Sequence, residues 1–239
     1  MQRQDGRAPG AMRPVKIIPG YTKYAEGSVL MCMGDTHVLC NASVEAKVPD
    51  FLKDKGKGWI TAEYSMLPRA TGTRNRRDIS NLKLAGRSAE IQRLIGRSLR
   101  SVADLKGLDG YTITVDCDVL QADGGTRCAS ITGAYVALYL ACKKMVADGL
   151  IPAIPLSAQV AAISCGVVDD EVLLDLTYSE DSRAMADCNV VLSSAGGIVE
   201  LQGTGEDRPF TERELKAILS ASKRGIARLF KAQKKAMEG

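Results

Sequence analysis

The spacing of apolar side chains divides the first half of the chain into strands and two long helices. Alternating apolar and polar residues predict strands at 15–18, 28–33, 36–47, 59–66 and 111–120, with a Gly-Asp hairpin turn at 34–35. From Gly86 the period becomes helical, and one apolar face contains Ile91, Leu94, Ile95, Leu99 and Val102. A second, more uniformly apolar helix is predicted at about 127–147.

The second half repeats this general order of elements. Strands are predicted at about 158–168, 172–176, 189–193 and 198–202. Thr211 then caps a helix, and the basic tail at 231–239 is expected to fray; the apolar face of this helix contains Leu215, Ile218, Leu219, Ile226, Leu229 and Phe230. The linker at 149–155 is short and apolar, which argues against independent domains. We therefore predict an α+β fold in which two pseudo-equivalent halves, each a mixed sheet plus helices, pack as one unit over 1–239. The halves cover about 12–150 and about 156–235.

Composition excludes several classes of protein. The 239 residues are 45% hydrophobic and 25% charged, as in an ordinary globular protein, and a net charge of +4 is too small to indicate nucleic-acid binding by itself. The seven cysteines form no C-x-x-C pair, which predicts buried thiols in a reducing compartment rather than disulfides or a zinc site. No signal peptide is visible, and no segment approaches the ~18 apolar residues of a membrane span. We expect a cytoplasmic protein without a membrane partner.

The most informative segment is DCDVLQADGGTR at 116–127, where a strand runs into a Gly-Gly turn before the second helix. Gly124 and Gly125 lack a Cβ, so backbone N–H groups can approach an anion closely. The first turn of the helix adds unpaired N–H donors and the positive end of its dipole. Thr126 supplies a hydroxyl, and Arg127 a guanidinium group that matches phosphate oxygens. The pattern predicts a phosphate or phosphodiester site, although Gly-Gly before a helix is often only a turn.

The shortage of histidine narrows the chemistry. The chain contains one histidine, His37, in a strand pattern, so Ser-His-Asp and Cys-His nucleophile schemes are excluded. Carboxylates, arginines and a metal remain. The best acidic cluster has Asp175 on a predicted strand, while Asp181 and Asp187 bracket a short polar turn. If the two converge, they can serve as Mg²⁺ ligands or as a general acid and base. The alternative is a solvated acidic loop.

Arginines form two groups around the start of the first helix. Residues 68–85 form a long basic loop in which four arginines fall within nine positions: Arg69, Arg74, Arg76 and Arg77. Arg87 begins the helix, and Arg93, Arg97 and Arg100 follow on one side of it. Arginine suits contacts with the phosphate backbone and also carboxylate pairs across a subunit interface. The residues alone leave both uses open, together with that of a solvated helix face.

With these motifs in view, the chain resembles the bacterial ribonuclease PH family, the phosphate-dependent 3′-exoribonucleases that trim transfer-RNA precursors. The likeness runs from Arg3 to about Gln233, nearly the whole chain. The segments that carry it are RQDGR at 3–7, GSVL at 27–30, GWITAEYSMLPR at 58–69, GRS at 86–88, EIQRLIGR at 90–97, QADGGTR at 121–127 and LQGTGE at 201–206. Departures from the family pattern are small, at Ile60, Ser88 and Cys128.

The resemblance implies roles for individual residues. Asp181 and Asp187 take the catalytic and metal-associated acidic positions, and the residues implied to bind the attacking phosphate are Arg87, Gly125, Thr126 and Arg127. Arg69, Arg74 and Arg77 match arginines at contacts between dimers in the family's hexamer. Contact with RNA or with a neighbouring subunit is therefore expected for Arg69, Arg74, Arg76, Arg77, Arg93 and Arg97. The expected assembly is a homohexamer built as a trimer of dimers.

The reaction implied by the resemblance is phosphorolysis of RNA. Inorganic phosphate is the co-substrate, Mg²⁺ is the expected metal, and each cycle releases one 3′-terminal nucleotide as a nucleoside diphosphate. One alternative is a catalytically silent RNA-binding subunit of an exosome-like ring, which needs the basic loop but neither the paired acids nor the phosphate arginines. Another is a hydrolytic nuclease, which would release monophosphates without added phosphate.

Overall fold

The structure, a computed structural model, describes residues 3–77 and 85–238. The first half builds a five-stranded sheet in the order β1–β2–β3–β5–β4, in which only β4 and β5 pair in parallel. Its strands are β1 (Val15–Pro19), β2 (Gly27–Met33), β3 (Thr36–Glu45), β4 (Trp59–Met66) and β5 (Thr112–Gln121). Two helices belong to this half, α1 (Gly86–Arg100) and α2 (Thr126–Ala147). Short 3₁₀ turns at Asp50–Leu52 and Leu105–Leu108 were not predicted.

The second half builds a four-stranded antiparallel sheet in the order β7–β6–β8–β9. Its elements are β6 (Val160–Val168), β7 (Glu171–Leu174), α3 (Tyr178–Asp181), β8 (Ala186–Ser193), β9 (Ile198–Gly205) and α4 (Glu212–Glu238). The predicted cap of α4 is present, because the hydroxyl of Thr211 accepts a hydrogen bond from Glu214 N at 3.2 Å. The predicted α+β class with two sheet-plus-helix halves is confirmed.

Helix α2 lies between the two sheets and contacts β2, β3 and β6. A helix buried on nearly all sides needs an apolar surface on nearly all sides, which explains its uniform pattern in the sequence. The contact with β2 is close enough that a Cβ at Gly27 would lie 1.9 Å from the carbonyl oxygen of Ala137. One cluster of buried apolar residues includes Met31, Leu138 and Ile163, from both halves. That the halves fold as one unit stays a prediction.

The prediction that the C-terminal tail frays is wrong. Helix α4 continues to Glu238, and Gln233 is fully buried within it. The Gln233 amide donates hydrogen bonds of 2.9 Å to the carbonyl oxygens of Thr132 and Val160. Because these bonds tie α4 to α2 and β6, the last turns are held by tertiary contacts although their sequence is mostly basic and polar.

Strand β7 ends at Leu174, two residues earlier than predicted, so Asp175 does not lie on a strand. Its backbone has φ of +56°, a left-handed conformation that is costly for a residue other than glycine. Its side chain is completely buried. The basic loop predicted at 68–85 is described as far as residue 77, and its positions 78–84 lie outside the described residues.

Two buried ion pairs fix the N-terminal segment to the second half. Arg3 pairs with Glu180, with Nε–Oε1 and Nη2–Oε2 distances of 2.7 and 2.6 Å. Arg13 pairs with Asp175, with an Nη2–Oδ1 distance of 2.6 Å, and the backbone N–H of Arg13 donates to the same carboxylate at 2.7 Å. The four side chains are at most 4% exposed. Residues distant in sequence are thereby held at the base of α3 and of the Gly-Gly turn.

Glu180→Gln tests how strongly the Arg3 pair holds this region. Burial raises the pKa of Glu180, but hydrogen bonds from Arg3 and from Thr177 N–H outweigh burial and leave the pKa below its usual 4.5. The variant leaves the Arg3 charge buried against a neutral amide, so the free energy of unfolding should fall by about 3 kcal/mol in urea titrations at pH 7.5.

The pH dependence has a definite sign. A depressed folded-state pKa stabilises the protein at pH above 4.5, and that contribution is lost as the pH falls through the folded value. The stability difference between wild type and Glu180→Gln should therefore shrink below pH 4.5. The control is Glu238→Gln, in an exposed pair with Lys234 at 3.7 Å, which should change stability little at either pH. Equal losses of unfolding free energy in Glu180→Gln and Glu238→Gln would contradict the stabilising role of the Arg3–Glu180 pair.

Candidate active site

Two adjoining cavities lie where the halves meet, and they share Arg87 and Asp181. The first has a volume of about 940 Å³ and the second about 780 Å³. The predicted site residues that line the first are Arg87, Arg127, Asp181 and Asp187, and those that line the second are Arg76, Arg87, Gly125, Thr126 and Asp181. The structure thus brings the predicted phosphate residues and acids together from α1, α2, α3 and β8.

The Gly-Gly turn places the bare N-terminus of α2 at the cavities. Gly124 and Gly125 have φ of +75° and +67°, which favours glycine. A Cβ at Gly124 would lie 2.5 Å from the carbonyl oxygen of Leu176, so the second half leaves no room for a side chain there. Gly125 is the N-cap residue, and no side-chain hydrogen bond caps the helix. The first N–H groups of α2 are therefore left to bind an anion.

Residues from the N-terminal segment and β3 hold this turn in place. The Thr36 hydroxyl accepts a hydrogen bond from Asp123 N at 2.9 Å and donates one to the Gly124 carbonyl oxygen at 2.7 Å. Arg13 donates to the Asp123 carbonyl oxygen and also pairs with Asp175. The turn and the base of α3 consequently share one guanidinium group.

Arg127 is oriented by a polar network across the first cavity. Its Nη1 donates to Gln202 Oε1 at 2.8 Å and to Glu90 Oε1 at 3.1 Å, while Gln202 Nε2 donates to the same Glu90 oxygen at 3.1 Å. Gln202 also donates to Glu200, which pairs with Arg97 through two hydrogen bonds of 2.7 and 2.8 Å. With a side chain 17% exposed, Arg127 is partly enclosed but still lines the cavity.

The other two phosphate candidates differ in their partners. Arg87 is exposed, and its guanidinium group forms no hydrogen bond or ion pair with any residue in the described ranges. Thr126 is buried, and its hydroxyl lies 2.9 Å from the hydroxyl of Tyr64. Burial raises the pKa of Tyr64 although this hydrogen bond opposes it, so Tyr64 stays a neutral donor or acceptor. Arg87 therefore places a positive charge without an ion-pair partner, among the residues described, on the lining that the two cavities share.

The acidic pair comes from two elements of the second half. Asp181 ends α3, whose start is fixed by reciprocal capping bonds between Thr177 and Glu180, and Asp187 lies near the start of β8. Burial and then the charge of Asp187 raise the pKa of Asp181, against the opposing effect of Arg87 and Arg127. A carboxylate whose pKa is raised by a neighbouring carboxylate is typical of a functional site.

Two carboxylates suit Mg²⁺ when it is held jointly by the protein and by substrate phosphates. In the described ranges, no three His, Cys, Asp or Glu residues are grouped so as to bind a metal ion by themselves. Asp181 and Asp187, on the same cavity as the predicted phosphate residues Arg87 and Arg127, fit the jointly held arrangement. None of the described helices combines the length and apolar character needed to cross a membrane.

Apart from Arg76, which lines the second cavity, the remaining predicted arginines lie outside this centre. Those of the basic loop and α1 that are exposed and have no ion-pair partner in the part of the chain that the structure describes are Arg69, Arg74, Arg76, Arg77 and Arg93. Arg97 already has an intrachain partner in Glu200. Arg100 is half-buried, with its guanidinium group 4.3 Å from the ring centroid of Trp59, and is not part of an exposed stripe.

Sequence reasoning missed four residues that shape the site: Arg13, Thr36, Glu90 and Gln202. Each contacts a predicted residue or the Gly-Gly turn from a distant part of the chain, and no local pattern marks any of them. The signal that did exist was the resemblance of the blocks EIQRLIGR at 90–97 and LQGTGE at 201–206, which contain Glu90 and Gln202. Asp175, considered there as part of an acidic cluster, instead neutralises Arg13.

Comparison with known proteins agrees with the fold. Residues 11–144 match the model of the 3′ exoribonuclease family, domain 1, and residues 158–225 match domain 2 of the same family. The chain is 55% identical over 237 residues to a ribonuclease PH of Maricaulis maris (strain MCS10), covering 99% of this chain and 100% of the relative. It is also 55% identical over 237 residues to a ribonuclease PH of Moorella thermoacetica, covering 99% and 95%.

Solved structures share the fold at low sequence identity. Rice (Oryza sativa) Rrp46 aligns with a TM-score of 0.81 and 22% identity over 99% of this chain and 100% of that one. A chain of the Archaeoglobus fulgidus exosome with RNA bound to the active site aligns with a TM-score of 0.81 and 23% identity over 96% and 92%. The fold, the two family matches and the full-length relatives agree: the chain belongs to the ribonuclease PH family of 3′ exoribonucleases.

Proposed function

We propose that this chain is a phosphate-dependent 3′-to-5′ exoribonuclease that trims transfer-RNA precursors and releases nucleoside diphosphates. The observation that carries the proposal is the convergence of Arg87 and Arg127 with Asp181 and Asp187 on one cavity at the open N-terminus of α2. Membership of the family supports the reaction class, and its enzymes use phosphate.

The first task of the site is to bring two anions together. Inorganic phosphate and the last phosphodiester of RNA repel each other, so positive charge must be fixed around both before reaction. Arg87 and Arg127 supply it, and the N–H groups at the start of α2 add hydrogen-bond donors for phosphate oxygens. Phosphate is already ionised at neutral pH. No histidine base is therefore needed to activate the nucleophile.

The second task is to release the 3′ oxygen of the shortened RNA. Asp181 and Asp187 lie on the same cavity as the arginines, from the opposite half of the chain. The leaving oxygen needs a proton, and our candidate source is Asp187 or a water molecule held at the acidic pair, with Asp181 as the partner of Asp187. A bound Mg²⁺, held by these carboxylates and the substrate phosphates, would neutralise charge that develops on the phosphate oxygens.

The catalytically silent alternative has less support. A subunit that only binds RNA has no need for paired acids beside an arginine site. This chain has Arg87, Thr126, Arg127, Asp181 and Asp187 around two connected cavities.

The products formed from RNA with and without phosphate test the function. With phosphate, wild type should release nucleoside diphosphates, separable from monophosphates by thin-layer chromatography, and without phosphate it should release nothing. Asp181→Asn and Asp187→Asn should each lower turnover by roughly 10²- to 10⁴-fold, because each removes a group that positions metal or transfers a proton. RNA affinity should persist in both variants. Monophosphates formed without phosphate would identify a hydrolase. Near-normal turnover in either variant would show that the substituted aspartate belongs to a solvated acidic loop and has no catalytic role.

Arg127→Ala tests the phosphate site. Loss of a charge-assisted contact worth about 1.5–3 kcal/mol should raise the Michaelis constant for phosphate by roughly 10- to 100-fold and slow turnover. Arg224→Ala is the matched control, because it removes the same charge from an exposed position on α4. Folding of both variants should match wild type by circular dichroism. An unchanged Michaelis constant for phosphate in Arg127→Ala would contradict the assignment of Arg127 to the phosphate site.

The proposed assembly is a homohexamer built as a trimer of dimers. The exposed arginines of the basic loop lack ion-pair partners among the described residues. The open face of the first sheet presents three carboxylates that also lack an ion-pair partner there: Glu63, Asp116 and Asp118. Burial, then Glu63 and Asp118, raise the pKa of Asp116 to about 6. Arginines of a neighbouring subunit on this acidic face would relieve that repulsion.

Arg69→Ala combined with Arg74→Ala should break the hexamer into dimers while each subunit stays folded, and should weaken binding of transfer RNA. Size-exclusion chromatography with light scattering measures the assembly. Lys55→Ala combined with Lys57→Ala removes the same charge from another exposed loop and should leave the hexamer intact. A hexamer that survives the arginine double variant would reassign Arg69 and Arg74 to RNA contact alone.

A further inference from the structure

Tyr178 is a large aromatic side chain that the proposed mechanism does not use. Its side chain is 66% exposed, although it stands at the first position of α3 in the middle of the site. The other exposed aromatics in the described part of the chain, Tyr21, Tyr24 and Phe51, line neither cavity. Tyr178 lines the second cavity together with Asp181.

The exposure of this ring does not come from a loose backbone. Tyr178 N donates a hydrogen bond of 3.2 Å to Asp123 Oδ1, which ties it to the Gly-Gly turn. Thr177 and Glu180 cap the turn of helix that carries it, and Glu180 is locked by the buried pair with Arg3. The chain therefore presents an exposed aromatic ring to the second cavity on a rigid support, where a ligand can cover it.

The second cavity has the chemistry of a nucleotide site. Met66 and Tyr178 offer apolar surface, Arg76 and Arg87 offer positive charge, and the glycine turn offers backbone. A nucleotide likewise combines a flat base with an anionic phosphate. Tyr178 and Asp181 stand three residues apart in one helical turn, so their Cβ atoms are about 5–6 Å apart. A base lying on the ring would place its own phosphate beside the acidic pair.

We propose that Tyr178 stacks on the 3′-terminal base of the RNA and thereby positions the last phosphodiester between the two cavities. This inference rests on the proposed exoribonuclease function and deepens it. Every base has a π-face, so stacking grips the end of an RNA chain whatever its sequence. An enzyme that removes successive nucleotides needs that tolerance, which a site of base-specific hydrogen bonds would lack.

The test uses the full-length protein and an RNA that carries 2-aminopurine at its 3′ end. Without phosphate the RNA stays intact, so the fluorescence quenching on stacking reports equilibrium binding. Tyr178→Ala should weaken RNA binding about 5- to 100-fold and abolish the quenching. Tyr178→Phe and Tyr178→Trp should retain both, because they keep the aromatic face. With phosphate present, Tyr178→Ala should raise the Michaelis constant for RNA by a similar factor and leave that for phosphate unchanged.

Tyr24→Ala is the matched control, because it removes an 88% exposed tyrosine that lines neither cavity. Two results would overturn stacking: Tyr178→Ala binding RNA like wild type, or Tyr178→Phe binding as weakly as Tyr178→Ala. A changed molar mass in Tyr178→Ala, with RNA binding intact, would assign the ring to a subunit contact. If wild type releases diphosphates only with phosphate while Tyr178→Ala is normal, stacking fails and the proposed function stands.

Discussion

The buried pair between Arg13 and Asp175 is the interaction on which the site geometry depends. Asp175 follows β7 in a left-handed conformation, and Arg13 reaches across to it from the N-terminal segment. The same guanidinium group donates to the carbonyl oxygen of Asp123 in the Gly-Gly turn. A buried pair of this kind need not stabilise the fold more than apolar side chains would. What it fixes is position, since one rigid planar group sets the distance between the anion-binding turn and the segment that leads to the acidic pair.

The charges of the site are divided between the two halves. Arg87 and Arg127 stand at the starts of α1 and α2 in the first half, while Asp181 and Asp187 come from α3 and β8 in the second. In the proposed site neither half is sufficient alone, because the arginines would face no acids and the acids would face no cations. This division explains why the halves meet through close backbone contacts, such as that of Gly124 with Leu176, and through buried ion pairs.

Sequence patterns predicted what is local. The period of two predicted β3, and the period of 3.6 predicted α1. The glycines at 124 and 125 predicted the left-handed turn before α2, because such a turn favours glycine. Contacts between residues that are distant in sequence produce no local sequence pattern. Arg13 and Asp175 are 162 residues apart, and the partners Glu90 and Gln202 lie 37 and 75 residues from Arg127. The prediction for the C-terminal tail was wrong for the same reason. Gln233 is held by carbonyl groups of α2 and β6, and the sequence around Gln233 gives no sign of these contacts.

The two arginines that we propose to bind phosphate differ in their partners, and the difference has a physical consequence. Arg87 has no ion-pair partner among the described residues, so its full charge faces the cavity. Arg127 is shared with Glu90 and with the neutral amide of Gln202. In the proposed site, phosphate competes with one carboxylate for Arg127, which would weaken binding in the ground state. Gln202 can still hold the guanidinium group in place when the carboxylate yields, because an amide accepts a hydrogen bond without adding charge. Orientation is thus retained while affinity is moderated, and an enzyme that consumes phosphate gains nothing from binding its co-substrate more tightly than the transition state requires.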